Sequence, residues 1–247
     1  MTKLKLIFGR VWAVWGILLF VMTMLVFMIP FLLIRLWPEP QRTRIFIATS
    51  KLWMQIFLHG IGCPITVKGK ANFAEGENYI VVCNHNSLMD VPVSCPFIPG
   101  GNKTIAKTEF AKVPLFGIIY KMGSVLVDRK SEKSRRESYF KMKEVLSIGL
   151  HMAIYPEGTR NQTGEPLKSF HDGAFRLALE TGKPVIPALL FNTGKVLPPS
   201  KGFYLMPKKL RMHFLEPEAV TPEITQQELK EKVFRKMYDY YTANYKP

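Results

Sequence analysis

The stretch that decides the fold is "VVCNHNSLMDVP", Val81 to Pro92, which begins as an apolar run and turns polar within a few residues. The apolar run predicts a buried strand, and the polar residues after it place Asn84, His85 and Asp90 where that strand leaves its sheet. In α/β sheets, chemistry gathers beyond the carboxyl ends of strands. The stretch therefore predicts either a helix cap or a general base at this edge.

The residues alone leave these two interpretations open. If a helix begins near Ser87, then Ser87 is its N-cap and Asp90 its third residue, the spacing of a capping box. On a straight helix, five residues rotate a side chain by roughly 140°, so His85 and Asp90 meet only if His85 lies in the preceding turn. From there the carboxylate of Asp90 can reach the imidazole and fix its tautomer.

The rest of the chain alternates short strand-like runs with helical ones. Helices are predicted at Ser131–Gly149, Gly173–Thr181 and Gln226–Tyr241. This alternation predicts a layered α/β domain over residues 63–247, with a largely parallel or mixed sheet flanked by helices. The predicted strands are "ITVKG", "YIVVC", "KTIAK", "SVLVD", "HMAIYP", "PVIPALLF" and "KLRMHFL".

Two further polar clusters, "VDR" and "YPEGTR", also follow predicted strands. Taken singly, each has an ordinary interpretation: a surface salt bridge between Asp128 and Arg129, and a turn closed by Glu157 and Arg160. If Lys107, Arg129 and Arg160 lie together, their charges suit a phosphate group.

No nucleophile of the enzyme's own is evident. The sequence has no G-x-S-x-G elbow, and Cys63, Cys83 and Cys95 show no reactive or disulfide pattern, which predicts reduced thiols in a reducing compartment. A substrate hydroxyl activated by His85 is then the simplest chemistry. Neither a metal site nor a cofactor motif is evident, so no cofactor is predicted.

Residues 1–62 predict two helices that attach to a membrane. No charged residue occurs from Val11 to Ile34, where Pro30 is expected to kink or end the first helix, and "WPEP" then breaks the chain. All four tryptophans lie in these two segments, as interfacial anchoring predicts. A single span and a hairpin entering one leaflet both fit, with a buried core helix as the alternative.

Composition points to anionic partners. Lys and Arg outnumber Asp and Glu by 34 to 19, a formal charge of +15, and 47% of the residues are hydrophobic. This balance suits an anionic lipid surface or an acidic substrate, whereas no aromatic-basic RNA signature or DNA-reading helix is found. Anionic membrane lipids are therefore predicted partners, and nucleic acid is not.

Four motifs together resemble those of the glycerolipid acyltransferases, in particular the bacterial 1-acyl-sn-glycerol-3-phosphate acyltransferases. "NHNSLMD" matches that family's N-H-x-x-x-x-D, and "GSVLVDR" is similar to G-x-I-x-[IV]-x-R with Val125 for Ile. "YPEGTR" is similar to F-P-E-G-T-R with Tyr155 for Phe, and "VIPALL" around Pro187 resembles a V-P-[VI] strand. Order and spacing agree over residues 65–191.

The resemblance implies a reaction. His85, oriented by Asp90, removes the proton of the free sn-2 hydroxyl of lysophosphatidic acid. The oxygen attacks the thioester of acyl-ACP or acyl-CoA, giving phosphatidic acid without an acyl-enzyme. The implied location is the cell membrane, with the catalytic domain on its cytoplasmic face. The implied acceptor site comprises Arg129, Glu157, Gly158, Thr159 and Arg160, with Lys107 as a further phosphate contact.

One departure and two alternatives accompany this resemblance. The family often has a basic residue in an F-K-x-G segment, whereas "SFHDG" here has His171 and Asp172, unless His171 or Lys168 substitutes. Another acceptor, such as glycerol 3-phosphate, another lysophospholipid or an aminoacyl lipid, is the first alternative. A basic lipid- or nucleic-acid-binding module without chemistry is the second. The remaining histidines, His59, His151 and His213, are interpreted as packing or interface residues.

Overall fold

The computed structural model describes residues 3–245. Residues 1–2, the start of the predicted segment 1–62, and residues 246–247, the end of the predicted segment 63–247, lie outside the described part. Seven strands form one sheet in the order β1-β7-β6-β2-β5-β3-β4, and only β6 and β7 pair antiparallel. The predicted α/β fold with a largely parallel or mixed sheet is confirmed. The strands are β1 (Ile65–Lys68), β2 (Ile80–Cys83), β3 (Asn102–Lys107), β4 (Ser124–Val127), β5 (His151–Ile154), β6 (Val185–Phe191) and β7 (Leu210–Phe214).

The helices flank the sheet and include the three predicted from the sequence. Short 3-10 helices occur at Lys70–Asn72, Cys95–Phe97 and Thr108–Lys112. The α-helices are α1 (Lys3–Ile34), α2 (Gln41–Gly60), α3 (Asp90–Ser94), α4 (Phe116–Met122), α5 (Glu132–Ser147), α6 (Gly173–Thr181), α7 (Thr193–Val196) and α8 (Gln226–Asn244).

Both faces of the sheet are covered, which explains why β2 and β6 are apolar at every position. Ile80 and Val82 of β2 point into a core shared with α5, α6 and α8. Val81 and Cys83 point into a second core, which α1 and α2 complete. A strand covered on both faces gains about 1.5–3 kcal/mol from each fully buried large apolar side chain. All three cysteines are buried and free, as predicted.

The helices α1 and α2 form an antiparallel hairpin. Trp12 Nε1 donates to the carbonyl of Ile61 at 3.0 Å, and Trp53 Nε1 donates to Thr23 Oγ1 at 2.9 Å. Pro30 was expected to kink or end the first helix, and α1 does not end there, because the helix continues to Ile34. Proline removes one backbone donor, but the buried side chains beyond it hold the last turn against the core.

One side of α1 is packed along its length, and the rest faces outward. Its buried residues run from Gly9 to Ile34, and the carbonyl of Gly9 accepts the N–H of Leu205 at 3.0 Å. Among the described residues, α1 is the one helix long and apolar enough to cross a membrane, and 22% of its most apolar window is buried. It is therefore not a buried core helix. Its exposed apolar residues include Leu4, Ile7, Val11, Val14, Leu18, Val21, Leu25, Val26, Ile29 and Leu33.

Candidate active site

The end of β2 is fixed by the side chain of Asn84. This buried amide donates from Nδ2 to the carbonyl of Leu190 at 3.0 Å and accepts the N–H of Leu190 at 2.7 Å. These two hydrogen bonds from the side chain take the place of the next backbone hydrogen bonds between β2 and β6. The chain therefore leaves the sheet immediately after Cys83, and His85 begins a loop at the carboxyl edge.

The loop brings His85 and Asp90 into contact. His85 Nδ1 lies 2.8 Å from Asp90 Oδ2, where the side chain of Asp90 is fully buried and that of His85 is 19% exposed. The same carboxylate oxygen accepts the backbone N–H groups of Asn86 at 2.5 Å and Ser87 at 2.7 Å. Since a carboxylate only accepts hydrogen bonds, the proton of a neutral imidazole is on Nδ1 and its lone pair is on Nε2.

The helix-cap interpretation holds only in part. Asp90 accepts the backbone N–H of Ser87, but α3 begins at Asp90 rather than at Ser87. The hydroxyl of Ser87 accepts the N–H of Met89 at 3.2 Å and donates to the carbonyl of Leu197 at 2.8 Å. A reciprocal capping box is therefore not formed here. One oxygen of Asp90 orders the loop and orients the imidazole.

The "YPEGTR" turn holds the backbone of His85 from both sides. Glu157 Oε1 accepts the N–H of His85 at 2.8 Å, and the carbonyl of His85 accepts the N–H of Asn161 at 2.6 Å. The second oxygen of Glu157 accepts the N–H of Lys168 at 3.0 Å. These contacts hold the turn in place, rather than the ion pair with Arg160 considered from the sequence. Motifs that are distant in sequence thus form one frame around His85.

Glu157 is a buried carboxyl that binds backbone. Its side chain is fully buried, and this burial raises the pKa of Glu157 to about 7, against the opposing effect of the N–H groups of His85 and Lys168. Both oxygens are occupied within the protein. The residue therefore positions the backbone of His85.

An aromatic ring supports the imidazole. The ring centroid of Tyr155 lies 4.7 Å from that of His85, at 41° between planes. The Tyr155 hydroxyl lies 2.5 Å from Ser94 Oγ, so the ring is anchored at its far end. From the sequence, Tyr155 was interpreted only as a replacement of the family's Phe. Its contact with the ring of His85 explains why an aromatic residue occurs at this position.

Basic side chains gather beside the turn. A guanidinium N–H of Arg129 donates to the carbonyl of Gly158, and Lys168 Nζ donates to Thr159 Oγ1 at 2.9 Å. Gly158 has φ of +69°, and a Cβ there would lie 2.7 Å from the ring of His171. Only glycine fits this position. Arg129 thus points toward the turn rather than toward Asp128.

Two more cations, Lys107 at the end of β3 and Arg160 after β5, lie at the same edge of the sheet, and we name the four residues Lys107, Arg129, Arg160 and Lys168 the basic cluster. Lys107 is the exposed last residue of β3, and it pairs in register with Val127, two residues before Arg129. Within residues 3–245, none of the four forms an ion pair with a carboxylate. A cluster of this kind, without counter-charges, is suited to a phosphate group. Lys168 and the ring of His171 both lie against this turn, where "SFHDG" departs from the family pattern.

The comparisons with known proteins identify the family of this chain. A model of the Acyltransferase family matches residues 64–190, slightly more than half of the chain, and the chain belongs to this family. The resemblance stated from the four motifs is confirmed. In the part of the chain that the structure describes, no cluster of side chains able to hold a metal ion is found.

The curated relatives are named as acyltransferases of one kind. The chain is 37% identical over 135 residues to the 1-acyl-sn-glycerol-3-phosphate acyltransferase of Cocos nucifera, covering 54% of this chain and 43% of that protein. It is 32% identical over 146 residues to the protein of the same name from Borreliella burgdorferi, covering 57% and 56%. The alignments thus span about half the length of these relatives.

A solved structure shows the same fold over nearly the whole chain. The 1-acyl-sn-glycerophosphate (LPA) acyltransferase PlsC from Thermotoga maritima aligns with a TM-score of 0.82 and covers 96% of each chain. The sequences are 22% identical. This likeness shows that the N-terminal helices and the sheet form an arrangement already seen in a crystal structure.

Proposed function

We propose that this protein is a membrane-bound 1-acyl-sn-glycerol-3-phosphate O-acyltransferase. It moves a fatty acyl group from acyl-ACP or acyl-CoA to the sn-2 hydroxyl of lysophosphatidic acid, giving phosphatidic acid. The observation that carries the proposal is the 2.8 Å contact between His85 Nδ1 and the buried Asp90, beside a cluster of basic side chains. Membership of the Acyltransferase family supports it, as do the relatives of that name.

In the proposed reaction, His85 Nε2 takes the proton of the acceptor hydroxyl as its oxygen attacks the thioester carbonyl carbon. The charge of Asp90 stabilises the imidazolium that forms. The tetrahedral intermediate collapses with cleavage of the C–S bond, and the imidazolium returns the proton to the leaving sulfur. The products are an ester and a free thiol. No covalent intermediate with the enzyme is required.

The basic cluster is proposed to bind the acceptor phosphate. Arg129 and Arg160 supply planar guanidinium groups for bidentate contacts, and Lys107 and Lys168 supply point charges. Gly158 and Thr159 shape the same turn, and Glu157 positions His85 from behind it. The acceptor is then held so that its hydroxyl reaches the imidazole.

The segment 1–62 is proposed to attach the enzyme to one leaflet as a helical hairpin, with residues 63–247 carrying the reaction. The exposed apolar surface of α1 supports attachment. The packing of α1 on α2 and on the α/β domain, at Gly9 and Phe20, favours the hairpin over a free span. The charge of +15 suits an anionic lipid surface. Free cysteines fit a reducing compartment, and hence the cytoplasmic face of the cell membrane.

The test is thiol release by the full-length protein in mixed micelles. Acyl-CoA or acyl-ACP is supplied with lysophosphatidic acid, glycerol 3-phosphate, another lysophospholipid or an aminoacyl lipid. We expect release that depends on lysophosphatidic acid. A preference for another acceptor would change the assigned substrate. If no acceptor supports thiol release, the alternative of a binding module without catalytic activity would be favoured instead.

Arginine variants test the acceptor site within the same assay. Arg129→Ala and Arg160→Ala should each raise the KM for lysophosphatidic acid by roughly 10-fold or more, with a smaller effect on kcat, since each removes a charged hydrogen-bond donor. Arg235→Ala is the matched control, because this exposed arginine lies on α8. A change in the thioester KM alone would reverse the assigned roles.

A further inference from the structure

One loop of the α/β domain exposes apolar side chains that the core of the domain does not use. It spans residues 108–115, between β3 and α4, and we name it the β3–α4 loop. Phe110, Val113 and Leu115 of this loop are 43%, 45% and 44% exposed. Single exposed apolar residues are ordinary on a soluble protein, whereas several close together indicate a surface that binds a partner.

The backbone of the loop is strained at Leu115. This residue has φ of +60° and ψ of −56°, and the N–H of Phe116 donates to the carbonyl of Pro114 at 2.6 Å. These values define a γ-turn of the rare, strained kind, at a residue other than glycine. Strained turns of this sort cluster at binding sites. Here the turn presents a leucine side chain that is nearly half exposed.

Aromatic rings join the loop to the exposed side of α1. The ring centroid of Phe110 lies 5.7 Å from that of Tyr120, which lies 5.6 Å from that of Phe116, the first residue after the loop. The Phe116 ring in turn lies 6.4 Å from that of Phe20 on α1, and the next residue of that helix, Val21, is exposed. The loop therefore continues the exposed apolar surface of α1.

The charges beside these apolar residues suit an anionic lipid surface. Lys107 and Lys112 are exposed on either side of Phe110, and Glu109 is the one acidic residue of the loop. In the described part of the chain, neither lysine forms an ion pair with a carboxylate. Exposed apolar residues flanked by lysines are typical of segments that enter the lipid interface. Because α1 is apolar enough to cross a membrane, lipid is the partner that covers both surfaces.

We propose that the β3–α4 loop inserts into the membrane interface beside α1. Phe110, Val113 and Leu115 enter the acyl-chain boundary, and Lys112 contacts the phosphate groups of anionic lipids. The inference rests on the proposed attachment of α1 to one leaflet, and it adds a second contact, made by the α/β domain itself. Because the loop follows Lys107 directly, this contact holds the basic cluster at the level of the lipid headgroups.

Quenching by lipid tests the insertion on the full-length protein. Val113→Cys is labelled with an environment-sensitive fluorophore, and the buried native cysteines are protected from the reagent. Val21→Cys on α1 is the positive control, and Phe140→Cys on α5, which packs on the opposite face of the sheet, is the matched negative control. The vesicles contain phosphatidylcholine and phosphatidylglycerol, with or without a phospholipid that carries a nitroxide on its acyl chain.

The three positions separate this inference from the proposed attachment. We expect the nitroxide to cause a loss of fluorescence at positions 113 and 21, and no loss at position 140. If position 21 is quenched while position 113 behaves like position 140, the loop does not enter the lipid and the inference is wrong, although attachment by α1 stands. If neither position 21 nor position 113 is quenched, the proposed attachment fails together with the inference.

A second measurement uses charge in place of a label. Val113→Asp should raise the KM for lysophosphatidic acid held in anionic vesicles by about 10-fold, because it removes an apolar contact and adds a repelled charge. Phe140→Asp should leave this KM unchanged. A short-chain lysophosphatidic acid dissolved as monomers should keep its wild-type KM in both variants. An equal rise for the dissolved acceptor would place Val113 in the acceptor site and overturn the inference.

Discussion

Two histidines at opposite edges of the same sheet show how the surroundings of an imidazole determine its role. His85 follows β2 at the carboxyl edge, and its Nδ1 faces a carboxylate that can only accept. His151 begins β5 at the amino edge, and its Nδ1 accepts the N–H of Tyr79 at 3.0 Å. Its Nε2 carries the proton and hydrogen bonds with the backbone of Pro99. The two rings therefore have opposite tautomers.

His85 and His151 also differ in their exposure to solvent and in the charge that surrounds them. The side chain of His85 is 19% exposed, whereas His151 is buried against the rings of Phe73 and Tyr79. Burial is the main cause that lowers the pKa of His151 to about 4, so this ring stays neutral at physiological pH. His151 uses both nitrogens within the protein. His85 uses one nitrogen and keeps the lone pair of the other, which is what a general base requires.

The largest expected effect comes from removing the imidazole at the carboxyl edge. His85→Ala should lower kcat by about 10²–10⁴-fold, the range that a positioned general base contributes. Its thermal unfolding should change little, because the frame around it is made by backbone groups. Thiol release and a melting curve on one preparation measure both. A variant with near-normal turnover would remove His85 as the base.

A smaller effect is expected from neutralising its partner. In Asp90→Asn, the three donors that converge on Oδ2 find an amide oxygen in the same place, so the loop is retained. What is lost is the charge that stabilises the imidazolium. The new NH₂ group would occupy the position of Oδ1, which is buried without a partner among the described residues. We expect kcat to fall on the order of 10²-fold, with little change in either KM.

A melting curve of Asp90→Asn separates chemistry from structure. If the carboxylate acts through the imidazole, kcat should fall while the midpoint of thermal unfolding stays close to that of wild type. A fall in kcat that is matched by a large fall in this midpoint would leave Asp90 with a structural role alone.

At the amino edge of the sheet, replacing His151 is expected to change the stability of the protein rather than its activity. His151→Phe retains an aromatic ring but leaves the N–H of Tyr79 without its acceptor, which should cost about 1–3 kcal/mol of unfolding free energy at pH 7.5. Activity of the folded protein should stay close to wild type. Chemical denaturation and the thiol assay measure the two quantities. A large loss of kcat at full folding would contradict the contrast between the two rings.

The pH dependence of stability should differ as well. The native pKa of His151, about 4, lies below the unfolded value of 6.5, so the unfolded chain binds more protons between these values. Stability from this group is lost as pH falls from 6.5 to 4, by up to about 3 kcal/mol. Glu157, with its raised pKa, acts in the opposite sense, and its contribution cancels in the difference between wild type and His151→Phe.

The smallest effect is expected at Tyr155. Tyr155→Phe keeps the ring against His85 and removes only the hydroxyl that meets Ser94. We expect kcat to stay close to wild type and the unfolding free energy to change by about 1 kcal/mol or less. Tyr155→Ala is the informative companion, since it removes the support of the imidazole. Equal activity of the two variants would show that His85 does not depend on this ring.

Much of the fold is readable from local patterns. All seven strands and the three long helices of the α/β domain follow from short apolar runs alternating with amphipathic ones. The short helices α4 and α7 were not predicted, because four to seven residues give too little periodicity. Of the two effects expected of Pro30, a kink or the end of the first helix, the end is not observed. Its effect on α1 depends on tertiary packing of the residues that follow it, which local propensity does not include.

The candidate site was only partly readable. The contact between His85 and Asp90 was one of two open interpretations, and the spacing alone did not choose between them. Asn84 and Asn161 were given no role, since their bonds go to backbone groups of other strands or loops. The bonds from the carboxylate of Glu157 to the N–H groups of His85 and Lys168 were also not predicted. Long-range contacts to main-chain atoms leave no local signature.

The frame around His85 has a consequence for protein engineering. A grafted loop of residues 84–90 would carry the imidazole and its carboxylate, but not the N–H and carbonyl partners supplied by Glu157 and Asn161. The smallest transplantable unit therefore comprises β2, β5 and the turns that follow both, together with β6, which bonds the side chain of Asn84. A design that copies only the contiguous peptide would contain the imidazole and the carboxylate, but the backbone of His85 would lack the hydrogen bonds that hold it in place.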